Sequence, residues 1–290
     1  MKDIHFFEFN LIEFIQKIKS PFFDKFFKIF NLIDNPIFII ILISIIWASN
    51  WKVGIKVLYV FILGVILNDF FKMFFKQPRP FNIDPSVFIF YVKGYGFPSG
   101  NAQNALFYAG LVINYLKNKT IALILGLNII FWVSLSRIYL GVHFPTDILG
   151  GWLLGLFMIY IYFYFLPKIE YFIKKIKFIY VLFLSQILPM FFIFFKKEYV
   201  IFFIIGVMSI NLGLCLSKMF KQFLPASKNF KEFIFRSILV FLGIVIFFPL
   251  LKIPFYMIRL VGIYLIGIWI SFLFNVVWKK YFSKLNFLKK

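Results

Sequence analysis

Two hydrophobic patterns alternate along the chain. Residues 4–19 and 22–33 place Phe, Leu and Ile at helical spacing, with Lys, Glu and Asp between them. Such segments are too polar to span a bilayer. They predict two amphipathic helices lying at its interface, broken at Ser20-Pro21. Beyond residue 35 the pattern gives way to long apolar runs, which predict spanning helices at 36–50, 53–75, 99–117, 119–138, 145–166, 178–195, 199–218, 233–251 and 256–278. No internal repeat is visible. The stretch PKIEYFIKKIKF, Pro167 to Phe178, reads as a polar, basic connector and is the best candidate for a boundary. The sequence thus divides into interfacial helices at 1–35, a transmembrane core at 36–166 and a further set of transmembrane helices at 167–290.

Composition fits this picture. Of the 290 residues, 62% are hydrophobic and only 15% charged, against about 25% charged in a soluble domain. The fold class expected is all-α, a polytopic membrane helical bundle. The net charge of +21, from 32 Lys and Arg against 11 Asp and Glu, would suggest nucleic acid in a soluble protein. Here no soluble domain carries a basic patch, so no nucleic-acid partner is expected, and the cations read as juxtamembrane residues facing an anionic leaflet. More than half of them fall, by the nine predicted spans, on the face opposite the loops 76–98 and 139–144. The basic face is then cytoplasmic, and those loops face outward. Residues 1–20 do not read as a cleavable signal peptide, because Asp3, Glu8 and Glu13 interrupt the apolar run. A single cysteine, Cys215, excludes a disulfide or a cysteine-based metal site within the chain.

Three polar clusters stand out, all at span ends predicted on that outer face. KMFFKQPRP sets Lys72 seven residues before Arg79-Pro80; Pro98-Ser99-Gly100 follows; SRIYLGVHFPTD sets Arg137, His143 and Asp147 in register. Ionisable groups at membrane depth are costly and usually functional. Lys72, Arg79 and Arg137 could surround one phosphate, the arginines bidentately. Ser99 and Gly100 open a helix, whose free N–H groups and positive dipole end suit an anion. His143 is one of two histidines, and an imidazole can attack phosphorus. Asp147, four residues on, is spaced to accept the imidazole N–H. The other histidine, His5, lies in an interfacial segment and reads as incidental. Taken singly these are a snorkelling cation, an N-cap and an interfacial histidine. Jointly their spacings point to phosphoryl transfer.

The pattern Lys-x6-Arg-Pro, Pro-Ser-Gly-x, Ser-Arg-x5-His-x3-Asp resembles the type 2 phosphatidic acid phosphatase (PAP2) superfamily of membrane lipid phosphatases. The motifs run from Lys72 to Asp147. The resemblance implies a PAP2-like catalytic core over roughly the first 166 residues and leaves 167–290 unexplained. It implies that His143 is the nucleophile, that Asp147 orients it, and that Lys72, Arg79, Ser99, Gly100 and Arg137 bind phosphate. It implies no cofactor and no metal, a lipid phosphate or isoprenyl or lipid diphosphate as substrate, and an integral protein of the bacterial cytoplasmic (inner) membrane with its active site on the extracytoplasmic side.

Asn101 departs from the pattern. The superfamily carries histidine there, which protonates the leaving oxygen; Asn can hydrogen-bond but cannot deliver a proton at neutral pH. Three explanations fit: an introduced His-to-Asn change, an enzyme suited to good leaving groups such as diphosphates, or a binder that no longer cleaves. The intact remainder of the site argues against long decay and favours the first, then the second. A lipid-linked phosphotransferase is the rival enzyme, and a lipid-phosphate binder or transporter the rival of another class. A vanadium haloperoxidase shares these motifs but fits poorly with so apolar a chain. Gln186, Asn211, Arg236 and Asn275 interrupt the C-terminal spans, where they could line a path or hold helices together. Gly151 and Gly155 form a small-xxx-small pair, too weak a signal to assert a dimer, so the sequence leaves the oligomeric state open.

Overall fold

Amphipathic segments alternate with long apolar helices in the structure, a computed structural model that describes residues 5–191 and 198–282. No strand occurs among the described residues. The helices are α1 (Phe6–Gln16), α2 (Pro21–Ile29), α3 (Pro36–Ser49), α4 (Trp51–Phe75), the single turn α5 (Pro80–Ile83), α6 (Gly100–Tyr115), α7 (Lys119–Tyr139), α8 (Pro145–Tyr160), α9 (Leu166–Lys175), α10 (Phe178–Met190), α11 (Glu198–Met219), α12 (Phe230–Phe247) and α13 (Tyr256–Ile268).

The break between the first two amphipathic helices has a local cause. Ser20 adopts an extended conformation, its Oγ accepts from the Phe23 N–H at 3.4 Å, and Pro21 opens α2. A proline costs nothing in the first turn, where its missing N–H would have no partner.

By length and composition six segments can cross a membrane: Trp51–Ile83, Lys119–Tyr139, Pro145–Lys175, Ile201–Met219, Phe230–Lys252 and Tyr256–Phe282; a seventh is counted if Pro21–Asp34 and Ile37–Ser49 form one broken span. The chain is a multi-pass membrane protein. The nine spans expected from hydropathy are reduced for identifiable reasons. Helix α6 has only 16 residues, which is short for a bilayer of about 30 Å. The span expected at 178–195 is a 13-residue helix as far as it is described, and its remainder lies outside the described residues. The basic stretch after Pro167 is no open connector. A π-helical turn, Ile161–Phe165, carries α8 straight into α9, where Glu170 pairs with Lys56 at 2.9 Å and Lys174 at 3.1 Å.

The chain forms two compact units, Met1–Ile39 with Val57–Pro167, and Ile40–Lys56 with Lys168–Lys290. Residues 40–56, which hydropathy groups with the core, therefore belong with the C-terminal helices. In the first unit α6 is enclosed by α7 and α8. It buries Asn101, Gln103 and Asn104 together with Ala102 and Ala105, while α7 and α8 expose Ile124, Leu127, Leu149, Leu153 and Leu156. Polar residues inside and apolar residues outside is the arrangement of a bundle whose outer solvent is lipid. Gly151 and Gly155 serve this packing within the chain. A Cβ on Gly151 would stand 2.4 Å from the Ser99 carbonyl oxygen, and one on Gly155 2.8 Å from that of Gln103.

In the second unit the polar residues hold helices together. Asn211 donates to the Ser185 carbonyl at 2.8 Å, Gln186 to that of Met208 at 3.3 Å, and Asn275 to Ser217 Oγ at 3.3 Å. Arg236 pairs with Glu232, donates to the Pro225 carbonyl at 2.7 Å and stacks over the Trp278 ring. Asn211, Gln186 and Asn275 are thus spent on hydrogen bonds between helices, and Arg236 on an ion pair within α12 and a carbonyl just before it.

Candidate active site

Each candidate residue sits where a helix begins or ends. Lys72 lies in the last turn of α4, Arg79 caps α5, Ser99 caps α6, Arg137 closes α7, and Asp147 is in the first turn of α8. His143 occupies the short turn between α7 and α8. Gly141 shapes that turn: its φ is +66°, and a Cβ there would stand 2.0 Å from the Val87 carbonyl oxygen. Only glycine fits such a position readily.

The first unit brings His143, Arg79 and Asp147 into direct contact. His143 Nδ1 lies 3.2 Å from Asp147 Oδ2, which also accepts from the Phe144 N–H at 2.9 Å. His143 Nε2 lies 3.2 Å from Arg79 Nη1. A guanidinium can only donate, so Nε2 is the accepting nitrogen and Nδ1 carries the proton toward Asp147, a tautomer assigned from the network. Arg79 is held by its donations to the carbonyls of Gly94 and Val142, both at 2.9 Å. Asp147 also ties the motifs together, because its carbonyl accepts from the Ser99 N–H at 2.9 Å.

His143, Arg79, Arg137, Ser99, Asp147 and Asn101 are all buried, and Lys72 partly. His143 stands outside the spanning segments. Burial first, and then the positive charges of Arg79, Lys72 and Arg137, hold its imidazole well below the usual range. The ring is therefore neutral at pH 7 and can attack.

Several buried polar atoms here lack a hydrogen-bond partner: Ser99 Oγ, Asn101 Oδ1, Asn104 Oδ1, Tyr108 OH, Arg137 Nη2 and Asp147 Oδ1. Orphaned buried groups are costly. Two donors among them, the Arg137 Nη2–H and the Ser99 hydroxyl, are groups an oxyanion would satisfy, as would the N-terminus of α6 that Ser99 caps; the amide and carboxylate oxygens need donors instead. Beside α6 a cavity of about 370 Å³ is lined by Asn31, Asp34, Asn35, Tyr91, Lys93 and Asn101, among others. His143 does not line it; of the candidate residues named from the sequence, Asn101 does. No group of three or more His, Cys, Asp or Glu suited to a metal gathers among the described residues.

The sequence reading missed how far the amphipathic N-terminus enters the site. Asn31 accepts from Arg137 Nη1, and Asp34 Oδ1 accepts from Asn104 Nδ2 at 3.0 Å. Tyr139 OH donates to Asp24 at 2.7 Å. Gln16 Nε2 bridges the carbonyls of Val87 and Tyr139 at 2.9 and 2.8 Å. Glu8 accepts from both the N–H and the hydroxyl of Thr146, at 2.9 and 2.7 Å. His5, read as incidental, stacks on Phe144, the neighbour of His143, at 4.2 Å between centroids. One signal was present in the sequence. Asn101, Asn104 and Tyr108 recur at helical spacing and mark one polar face of α6 that needed a partner.

The sequence profile of the PAP2 superfamily matches residues 53–171. An undecaprenyl-diphosphatase of Sulfolobus acidocaldarius is 34% identical over 113 residues, 38% of this chain and 54% of that protein. A phosphatidylglycerophosphatase B of Bacillus subtilis is 33% identical over 137 residues, 44% of this chain and 65% of that protein. A lipid A 4'-phosphatase of Porphyromonas gingivalis is 31% identical over 166 residues, 51% of this chain and 68% of that protein. The chain thus spans between half and two thirds of the first two relatives.

Proposed function

The chain belongs to the PAP2 superfamily, and from that premise we propose that it is a membrane phosphatase hydrolysing a lipid phosphate or diphosphate through a phosphohistidine on His143. The observation that carries this reading is the placement of a buried imidazole between Asp147 at Nδ1 and Arg79 at Nε2.

In this reading Nε2 of His143 attacks phosphorus as Arg79 turns from the ring to a phosphate oxygen. Asp147 holds the Nδ1 proton and stabilises the cation formed. Arg79, Arg137, Lys72 and the α6 N-terminus at Ser99-Gly100 receive the equatorial oxygens. Water then releases phosphate from His143. No step calls on a metal or cofactor. The related proteins act, by their names, on a polyprenyl diphosphate, a phosphatidylglycerol phosphate and lipid A, which supports a lipid-borne phosphate as the substrate class. The outward orientation of the site, at the extracytoplasmic face of the cytoplasmic membrane, is supported by Lys117 and Lys119, which lie beyond the end of α6 opposite Ser99.

The test is phosphate release from a panel of lipid phosphates and diphosphates, with His143→Ala as the blank. Release above the blank by the parent chain is expected. Labelled acceptor in place of free phosphate would make the chain a phosphotransferase. Saturable lipid-phosphate binding with no release would make it a binder or transporter.

A further inference from the structure

Displacing a lipid alkoxide requires a proton, and Asn101 has none to give. His143 spends its free nitrogen on phosphorus, and Asp147 Oδ2 holds the opposite nitrogen of the same ring together with the Phe144 N–H, away from the attacking side. An in-line displacement places the leaving oxygen on the side of phosphorus away from His143. The side to search is therefore the cavity that Asn101 lines and His143 does not.

Asp34 is on that side. It is accessible in the cavity wall next to Asn101. Its Oδ1 is fixed by Asn104, while Oδ2 faces the first residue of α6, 3.2 Å from where a Cβ of Gly100 would stand. An alanine there would crowd the carboxyl, so glycine lets it approach the start of α6. Lys72 and Asp69 of α4, Arg79, Arg137 of α7 and Tyr108 of α6 surround it electrostatically, and Lys93 and Tyr91 line the same cavity. Orphaned Asn101 Oδ1 and Tyr108 OH lie on the same helix face, either side of Asn104. A bare carboxylate beside a phosphate dianion is repelled; a carboxyl that shares a proton with it is accommodated.

We propose that Asp34 is the general acid of this site, delivering to the leaving oxygen the proton that Asn101 cannot. The inference rests on the phosphatase reading above. The N–P bond to His143 forms as the P–O bond to the lipid breaks, and the departing oxygen takes the Asp34 proton. In the second half a water bonds to phosphorus as the N–P bond breaks, and it gives its proton to the Asp34 carboxylate. Water is consumed, alcohol and phosphate are released, and both side chains return to their starting state. Asn101 then positions rather than protonates.

The test compares two substrates of equal tail length, an alkyl phosphate and a nitrophenyl phosphate, whose leaving group departs without a proton. Asp34→Asn should lower kcat on the alkyl phosphate by on the order of 10²–10⁴ and change turnover of the nitrophenyl phosphate by less than about tenfold. Turnover of the second substrate also reports that the variant is folded. Adding Asn101→His to Asp34→Asn should restore at least about tenfold on the alkyl phosphate, since general acid catalysis is worth that or more. Equal loss on both substrates, or no loss on either, overturns the proposal. So does a parent chain that cleaves only the nitrophenyl phosphate, although the phosphatase reading then stands. A parent no better than His143→Ala on both substrates overturns that reading and the proposal with it.

Discussion

Asp147 accepts from two donors at once, the Phe144 N–H and the His143 ring. It caps α8 with the same oxygen that orients the proposed nucleophile. Replacing it by Asn keeps the shape but can turn a donor toward the ring and favour the wrong tautomer. Asp147→Asn should lower kcat on the order of 10³-fold or more, with KM little changed, as an orienting carboxylate in a triad does; steady-state kinetics on any accepted lipid phosphate checks it. The depressed pKa of His143 makes a second prediction. The neutral ring persists as pH falls past the ordinary value of about 6.5. The profile of kcat/KM, which reports the free enzyme, should therefore hold through pH 6.5 and fall only below it. An acidic limb centred at or above the ordinary value would mean that burial and the three cations do not act on His143 as the geometry implies. Most of these residues could be read from spacing alone, because a pattern of fixed intervals survives whatever the fold does between them. Asn31 and Asp34 could not. They come from a distant segment with no motif, and only the packing of that segment against α6 and α7 brings them to the site.

The short elements matter as much as the long ones. Helices α1 and α2 were legible as amphipathic, but amphipathicity alone does not distinguish a lipid interface from a protein groove as the place for an apolar face. In the structure Phe9, Ile12 and Phe27 are buried against Val87, Phe144, Tyr139 and Leu140, so one edge of each helix packs on the turn that holds His143, while Phe7, Phe14, Phe22 and Ile29 stay exposed as an interfacial helix requires. Gln16 closes that contact through two backbone carbonyls of different segments. Gln16→Ala leaves both acceptors without this donor. It should destabilise by on the order of 1–3 kcal/mol and lower the midpoint of thermal unfolding in detergent, with kcat reduced if the turn loosens. An unchanged midpoint would mean that the bridge contributes nothing measurable. The continuous helix from Pro145 to Lys175 teaches the complementary point. Charge and a proline suggested a connector, yet Pro167 sits at the second position of α9, just after a π-helical turn that re-registers the backbone hydrogen bonds. Helix strain at a proline is a tendency that neighbouring geometry can absorb.

For the molecule as a whole, the testable quantity is sidedness. Lys93 and Lys117 lie beyond opposite ends of α6, and Cys215, the one native thiol, is buried. Lys93→Cys should react with a membrane-impermeant maleimide in intact cells, and Lys117→Cys only after permeabilisation; the reverse pattern would turn the site toward the cytoplasm. Hydropathy, charge and motif spacing sufficed to indicate an all-helical membrane protein of the PAP2 superfamily and to nominate the residues proposed for phosphoryl transfer, because each is a property of local sequence: apolar length, the cost of burying charge, and intervals along a helix. Only the tertiary structure decided the number of segments long enough to span, the grouping of residues 40–56 with the C-terminal helices, and the entry of Asp34 into the cavity beside Asn101. Those depend on contacts between residues far apart in sequence, where many pairings satisfy the same hydrophobic pattern and packing selects one.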